Sequence, residues 1–317
     1  MIDITHKITT LRQARAQALL LCQKETLIAI QAQQLPKGDL FNIAKAAAFL
    51  GAKQTAHLLP HCHPLLLEHL NITFDYIQAG QLNSETLGLA PDLFGIQIIV
   101  EVETVAKTGI EMEALTAASI AALTMMDLLK PIDKTVEIAR VKLLAKKGGK
   151  SQYIQKKYQG LRAVVLTCSD RASREEMKDL SGPRIVEKLQ DFSVDILAQH
   201  IVPDETEQIA NFVSQWAAEG VELIFTTGGT GFSQRDNTVA ALQPLLDYQI
   251  PGISETMRNY GQLRTPYAMM SRSFAGVMDK SLVIAMPGSV SAVEDCLEAI
   301  VPYVFKGVEI IQGRSYQ

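Results

Sequence analysis

Residues 140–162, RVKLLAKKGGKSQYIQKKYQGLR, constrain this chain more than any other stretch. They hold eight Lys or Arg residues and no Asp or Glu, in a chain of 317 residues with a formal net charge of -4. An isolated basic run in a mildly acidic chain needs a reason. One reading is a solvated linker. The other is a polyanion site in Ala145–Ser151, where glycines let the backbone approach a phosphate and lysines neutralise it. We assign the readings to successive parts: anion contact up to residue 151, and a basic linker over 152–160. The apolar run Ala163-Val164-Val165-Leu166-Thr167 then starts a new strand. The expected domains are therefore 1–151 and 161–317.

The length suits two domains of roughly 100–200 residues each, and 47% hydrophobic content can supply two cores. No apolar run reaches the roughly 18–20 residues of a membrane span. Met1–Lys7 lacks the apolar region of a signal peptide. Cys22, Cys62, Cys168 and Cys296 are far apart, which argues against disulfide frameworks and zinc ribbons and for a reducing, cytoplasmic setting. The acidic balance argues against general nucleic-acid binding, leaving a small, local anionic partner.

In the first half, Thr9–Gln23 fits a helix by Ala and Leu content and a strand by the alternation of Arg12, Ala14, Ala16 and Ala18. Lys24–Gln34 reads as helix. Asp39, after the Pro36-Lys37-Gly38 turn, can cap a helix from Leu40 to about Leu58. Leu67–Ala79 and Phe94–Ala106 alternate as strands, joined by a hairpin loop over 80–91. Gly109–Lys130 reads as a long helix and Lys134–Ala145 as a closing strand. Two or three helices with about four mostly antiparallel strands make an α+β layer fold.

Three places here could carry chemistry. His57, His61, Cys62 and His63 have a spacing open to metal, but no second ligand group matches them. Polar residues at a helix end are the plainer reading. Glu111 and Glu113 start a helix, where acids suit the dipole. Asp127 and Lys130 form an i,i+3 pair at its other end. Glu113 and Asp127 are 14 residues apart, hence about 21 Å along the axis. One chain cannot bring both to one small ligand.

LPHCHPL, KTGIEMEALTAAS, MMDLLK and LLAKKGGKS, with MIDIT and PKGD, resemble the cyclic pyranopterin monophosphate synthases, the MoaC family. The resemblance covers about residues 1–151. It implies a ferredoxin-like α+β oligomer with its active site at a subunit interface, and it makes Thr9–Gln23 a strand. It also implies rearrangement of (8S)-3',8-cyclo-7,8-dihydroguanosine 5'-triphosphate to cyclic pyranopterin monophosphate and pyrophosphate. The matching positions are Lys37, His63, Lys146 and the pair Asp127 and Lys130 as catalytic residues. Cys62, Glu111, Met112 and Glu113 match as substrate-binding residues. His61 stands where leucine is common, and Gln152 where glycine often follows the serine.

In the second half, strand, loop and helix recur, so a mainly parallel α/β sheet is expected. Ligands bind such sheets at strand C-termini. Three loops there are rich in Gly, Ser, Thr or Asp: 168–173, 227–236 and 287–289. Pro183 sits in the first turn of a helix capped by Asp179 or Ser181. The glycine loop is neither GxGxxG nor a Walker loop, but its backbone N–H groups and hydroxyls suit a phosphate. Asp236 can hold Mg²⁺. Asp204 either shares that ion or caps its helix.

VLTCSDRAS, DLSGP, VPDE, TTGGTGFSQRD, PGISETMR, TPYAMMSR and MPGS resemble the molybdopterin adenylyltransferases, the MogA/MoaB family, over about residues 161–317. The resemblance implies AMP transfer from Mg-ATP to molybdopterin, with Asp204 and Asp236 as the catalytic, Mg²⁺-binding acids. Ser169, Asp170, Thr227, Gly228, Gly229, Thr230, Gly231 and Ser289 match as ligand contacts. No tightly bound organic cofactor is implied. After Asp236 the family reads threonine, proline and an acid. Here Thr238 remains, and Val239 and Ala240 replace the other two. The combined expectation is a bifunctional molybdenum cofactor enzyme that forms homo-oligomers and contacts other enzymes of the pathway. The alternatives are a C-terminal half that binds molybdopterin without catalysis, and a metal-dependent hydrolase built on His57–His63.

Overall fold

The computed structural model describes residues 1–77, 94–149 and 158–313. The chain forms two compact units, Met1–Gln152 and Tyr153–Gln317. The expected hairpin loop over 80–91 lies outside the described residues, as do Lys150, Ser151 and residues 152–157 of the expected linker.

The first unit is one four-stranded sheet with helices on one face. Its strands are β1 (Thr10–Cys22), β2 (His69–Ile77), β3 (Phe94–Ala106) and β4 (Glu137–Lys147), in the order β2-β3-β1-β4. All neighbours are antiparallel. Each of two helical connections crosses one intervening strand, which is the split βαβ, ferredoxin-like plan. The ambiguous N-terminal segment is thus a strand, and tertiary context overrides its propensity. Ala14, Ala16, Ala18 and Leu20 face the helices and are buried with Ile96, Ile98, Val100 and Val102 of β3. The alanines leave room for close helix approach.

Helix Leu40–Lys53 is capped by Asp39, whose carboxylate accepts from the N–H groups of Phe41 and Asn42. The expected single helix to Leu58 is interrupted at Gln54, and a short helix follows at Thr55–Leu58. Helix Glu111–Leu129 packs on the sheet and on helix Leu40–Lys53, burying Ala114, Ala117, Ala118, Ala121 and Ala122. By length and composition it could cross a membrane, contrary to the reading that no such run exists. Half of it is buried inside this unit, as befits a core helix.

The second unit holds a six-stranded sheet, β6-β5-β7-β10-β9-β8. Its parallel core is β6 (Asp195–Val202), β5 (Arg162–Cys168), β7 (Leu223–Thr227) and β10 (Ser281–Met286). Two antiparallel strands, β9 (Phe274–Met278) and β8 (Tyr248–Gln249), extend one edge. Sequence reading missed both, along with the last helix, Tyr303–Ile311. Asp179 caps helix Ser181–Gln190 by accepting from the N–H groups of Ser181 and Gly182. The C-terminal ends of β5, β6, β7 and β10 lead into residues 169–170, 203–205, 228–237 and 287–289, and those loops form one rim.

Candidate functional site

In the first unit the matched residues form two groups at opposite ends of helix Glu111–Leu129. At its C-terminal end, Lys37 Nζ donates to Asp127 Oδ2 at 3.0 Å and to Asp127 O at 2.9 Å. Lys130 Nζ contacts Asp127 Oδ1 at 2.5 Å. The carboxyl is held below its usual range, first by the Lys130 bond and then by Lys37. The PKGD turn has therefore brought its lysine to an acid 90 residues away, as local pattern could not show.

At the N-terminal end, a cavity of about 590 Å³ is lined by His61, Cys62, His63, Glu111, Met112 and Glu113, with the N-terminal residues Met1, Ile2 and Ile4. Glu113 is 4% exposed, and its Oε2 is buried without a partner among the described residues. Burial, and then the charge of Glu111, raise its pKa. The Cys62 thiol is raised by burial and by Glu113. Lys146 Nζ pairs with Glu111 Oε1 at 3.1 Å. An adjoining cavity of about 150 Å³ shares Lys7 and Glu111 with the larger one and adds Arg12, Lys107, Lys146 and Lys147. Lys147 belongs to the expected polyanion stretch Ala145–Ser151, whereas sequence reading did not single out Lys7, Arg12 or Lys107 as site residues. Arg12 was visible only as a charge on the inward face of an otherwise alanine-rich strand, where it is 9% exposed. Among the described residues, no group of three His, Cys, Asp or Glu side chains could hold a metal ion, so the His57–His63 cluster does not converge.

In the second unit the three expected loops do meet. Gly228 and Gly229 have φ of +98° and +62°. A Cβ on Gly228 would stand 2.1 Å from Cys168 O, and one on Gly229 would stand 2.3 Å from Thr238 Oγ1 and 2.6 Å from Asp204 Oδ1. Only glycine permits this backbone and this approach. Asp236 Oδ2 accepts from Ser233 N–H at 2.7 Å. Asp170 accepts from Asp204 N–H at 3.2 Å and from the Arg235 guanidinium, which holds its carboxyl below the usual range. Thr227 Oγ1 donates to Pro287 O at 2.7 Å, and Ser181 Oγ to Gly288 O at 2.8 Å, tying β7 and helix Ser181–Gln190 to the 287–289 loop.

Asp204 is the exception in this bonded network. Its Oδ1 is buried with no partner among the described residues. It does not cap the following helix, which starts at Thr206 without a side-chain cap. Burial, and then the charges of Asp170 and Asp236, push its pKa up to about 6. Asp170, Asp204 and Asp236 do not converge into a three-ligand metal group, so a cation here would rest on the orphaned Asp204 oxygen and on ligand phosphates. Next to this rim, Arg258, Tyr267, Ser271, Pro287, Ser289 and Asp295 are among the residues lining a cavity of about 330 Å³. Ala240, which stands in place of the family's acid, is exposed.

Comparison with known proteins follows this division. Residues 1–149 match the MoaC family, and residues 164–306 match a family described as "Probable molybdopterin binding domain". A "Molybdenum cofactor biosynthesis bifunctional protein" of Chlorobaculum tepidum is 37% identical over 316 residues, covering 100% of this chain and 96% of that protein. The chain belongs to the bifunctional molybdenum cofactor biosynthesis proteins. Its MoaC unit is 44% identical over 153 residues to a "Cyclic pyranopterin monophosphate synthase" of Trichodesmium erythraeum, covering 48% of this chain and 83% of that one. Among solved structures, the molybdopterin biosynthesis enzyme MoaB of Thermus thermophilus is 37% identical, with a TM-score of 0.47, over 50% of this chain and 99% of that chain.

Proposed function

We propose that the chain carries two activities. The MoaC unit converts (8S)-3',8-cyclo-7,8-dihydroguanosine 5'-triphosphate to cyclic pyranopterin monophosphate and pyrophosphate. The second unit transfers AMP from Mg-ATP to molybdopterin. The observation that carries the second reading is Asp204, with its orphaned carboxylate oxygen beside Gly229 and between the charges of Asp170 and Asp236.

In the first reaction, cations must hold a triphosphate and acid–base groups must work on a purine-derived ring. Lys146 with Lys7, Lys107 and Lys147 would take the phosphates. Lys37, Asp127 and Lys130 would move protons, with His63 and the protonation-prone Glu113 toward the ring. Because the two groups lie at opposite ends of one helix, the complete site combines residues of two subunits.

In the second reaction, Asp204 and Asp236 would hold Mg²⁺. Bound there, the ion neutralises phosphate charge and stabilises the departing pyrophosphate. The amides of the glycine loop would bind the ATP phosphates, and the 330 Å³ cavity beside Ser289 would receive the pterin. The molybdopterin phosphate would attack the α-phosphorus as pyrophosphate leaves. Both carboxylates survive in this chain, although the neighbouring proline and acid are replaced. We place the protein in the cytoplasm and expect it to recruit other enzymes of the pathway. Incubation with molybdopterin, ATP and Mg²⁺ should yield adenylylated product, and Asp236→Asn should abolish it. Molybdopterin binding without product would make the unit a scaffold.

A further inference from the structure

The glycine loop sorts its polarity in an unusual way, and half of that sorting comes from one arginine outside it. Four consecutive carbonyls are engaged. Gly228 O accepts from Thr238 Oγ1 at 2.9 Å and Gly229 O from Thr238 N–H at 3.2 Å. Thr230 O accepts from the N–H of Arg272 at 2.8 Å, and Gly231 O from its Nε at 2.6 Å. The other guanidinium branch, Nη2, donates to Asp236 O at 2.8 Å. The amides of Gly229, Thr230 and Gly231 meet no hydrogen-bond partner among the described residues. A loop with its carbonyls occupied and successive N–H groups spared is an anion-binding nest.

Arg272 is itself held by its surroundings. Arg258, on helix Pro251–Gln262, donates to Ser273 O at 2.7 Å and to Ser254 Oγ at 3.2 Å, fixing the segment from which Arg272 reaches the loop. Of the acids nearby, Asp170 and Glu205 are contacted by Arg235, and Asp236 Oδ2 accepts from Ser233 N–H. Arg272 binds neutral carbonyls, so its charge still favours an incoming anion. A planar fork can serve two carbonyls at once, which a lysine ammonium on a flexible stem does less well.

We infer that Arg272 is a positioning residue for polyphosphate binding: its guanidinium fixes the carbonyls of residues 231 and 236, beside the residue 230 carbonyl held by its main-chain N–H, and so presents the loop amides to the ligand. This rests on reading the glycine loop as the phosphate cradle. The test uses the full chain, Arg272→Met and Arg272→Lys, with inorganic pyrophosphate and excess Mg²⁺ as the probe. Calorimetry reads affinity, and hydrogen exchange reads the peptide spanning 228–236. Arg272→Met should bind pyrophosphate about 10- to 100-fold more weakly, the scale of two lost hydrogen bonds. Its loop should exchange faster without ligand. Arg272→Lys should fall between the two, and added methylguanidinium should restore binding in part to Arg272→Met only. A purely stabilising tie would lower the melting temperature without this graded rescue. Wild-type affinity in a folded Arg272→Met protein, or an unchanged loop exchange rate, would overturn the proposal. Failure of the wild type itself to bind pyrophosphate would overturn the phosphate reading instead, and the exchange rate would still decide whether Arg272 orders the loop.

Discussion

Replacing Asp204 by asparagine should make the second unit more stable while removing its activity. Folding pushes the carboxyl from 3.8 to about 6, chiefly by burial and then by Asp170 and Asp236. A shift of roughly 2 units corresponds to about 3 kcal/mol at 1.36 kcal/mol per unit. The side chain is only half-buried, so solvent screening reduces this to about 1–2 kcal/mol. The native state binds the proton more tightly than the unfolded chain does. The penalty is therefore fully present above about pH 6 and fades as pH falls toward the unfolded value near 3.8. Asparagine carries no charge and escapes it. Trp216 is the chain's single tryptophan, buried against Phe212 and His200, so its fluorescence follows this unit alone. For a domain of this size, Asp204→Asn should raise the melting temperature at pH 7.5 by about 3–6 °C. The gain should shrink steadily between pH 6 and 4, and adenylyl transfer should be lost. A variant no more stable than the wild type, or a gain that does not depend on pH, would refute the reasoning.

Three further outcomes follow from the same geometry. Asp127→Ala and Lys37→Ala proteins touch one and the same cluster. Neither should rescue the other when mixed, whereas Asp127→Ala mixed with Glu113→Gln should recover part of the first activity if opposite helix ends meet across subunits. No recovery after proven subunit exchange would place the site within one chain. Gly229→Ala should cost at least about 1–3 kcal/mol, from a positive φ and a forced contact with Thr238 and Asp204, and calorimetry should show pyrophosphate binding lost. Asp133 accepts from Gln23 N–H, Thr26 Oγ1, Thr135 N–H and Thr135 Oγ1. Burial alone would raise its pKa, but these bonds outweigh it and lower the value. Its contribution is present above the unfolded pKa and is lost as pH falls through the lower folded one. Asp133→Ala should destabilise the MoaC unit by about 2–4 kcal/mol at neutral pH, measured by chemical denaturation.

Much of the second unit was legible because buried parallel strands are short apolar runs followed by polar loops. That rule places residues 168–170, 227–236 and 287–289 on one rim. β9 escaped because Phe274–Met278 begins directly after a serine-rich segment and carries no alternation, since both its faces are buried. In the first unit, β1 is the instructive case. Its alanine and leucine content favours a helix locally, the Arg12, Ala14, Ala16 and Ala18 alternation favours a strand, and its place between β3 and β4 decides for the strand. The Lys37–Asp127–Lys130 cluster was legible in composition but not in contact, because a turn and a helix end 90 residues apart must first fold together. Asp204 shows the reverse. An acid before a helix can cap it or hold an ion, and the structure removes the cap: the helix starts at Thr206 without one, and an Asp204 oxygen is orphaned. Arg272 gave no signal at all, since nothing in TPYAMMSR marks which carbonyls its side chain will reach.

The most direct test of a two-activity chain is one preparation assayed for both products. Wild-type protein should form cyclic pyranopterin monophosphate from the cyclised triphosphate, and adenylylated molybdopterin from molybdopterin and Mg-ATP. Asp127→Ala should lose only the first product and Asp236→Asn only the second. A wild-type chain that forms one product and never the other, with both units folded and ligand bound, would contradict the account.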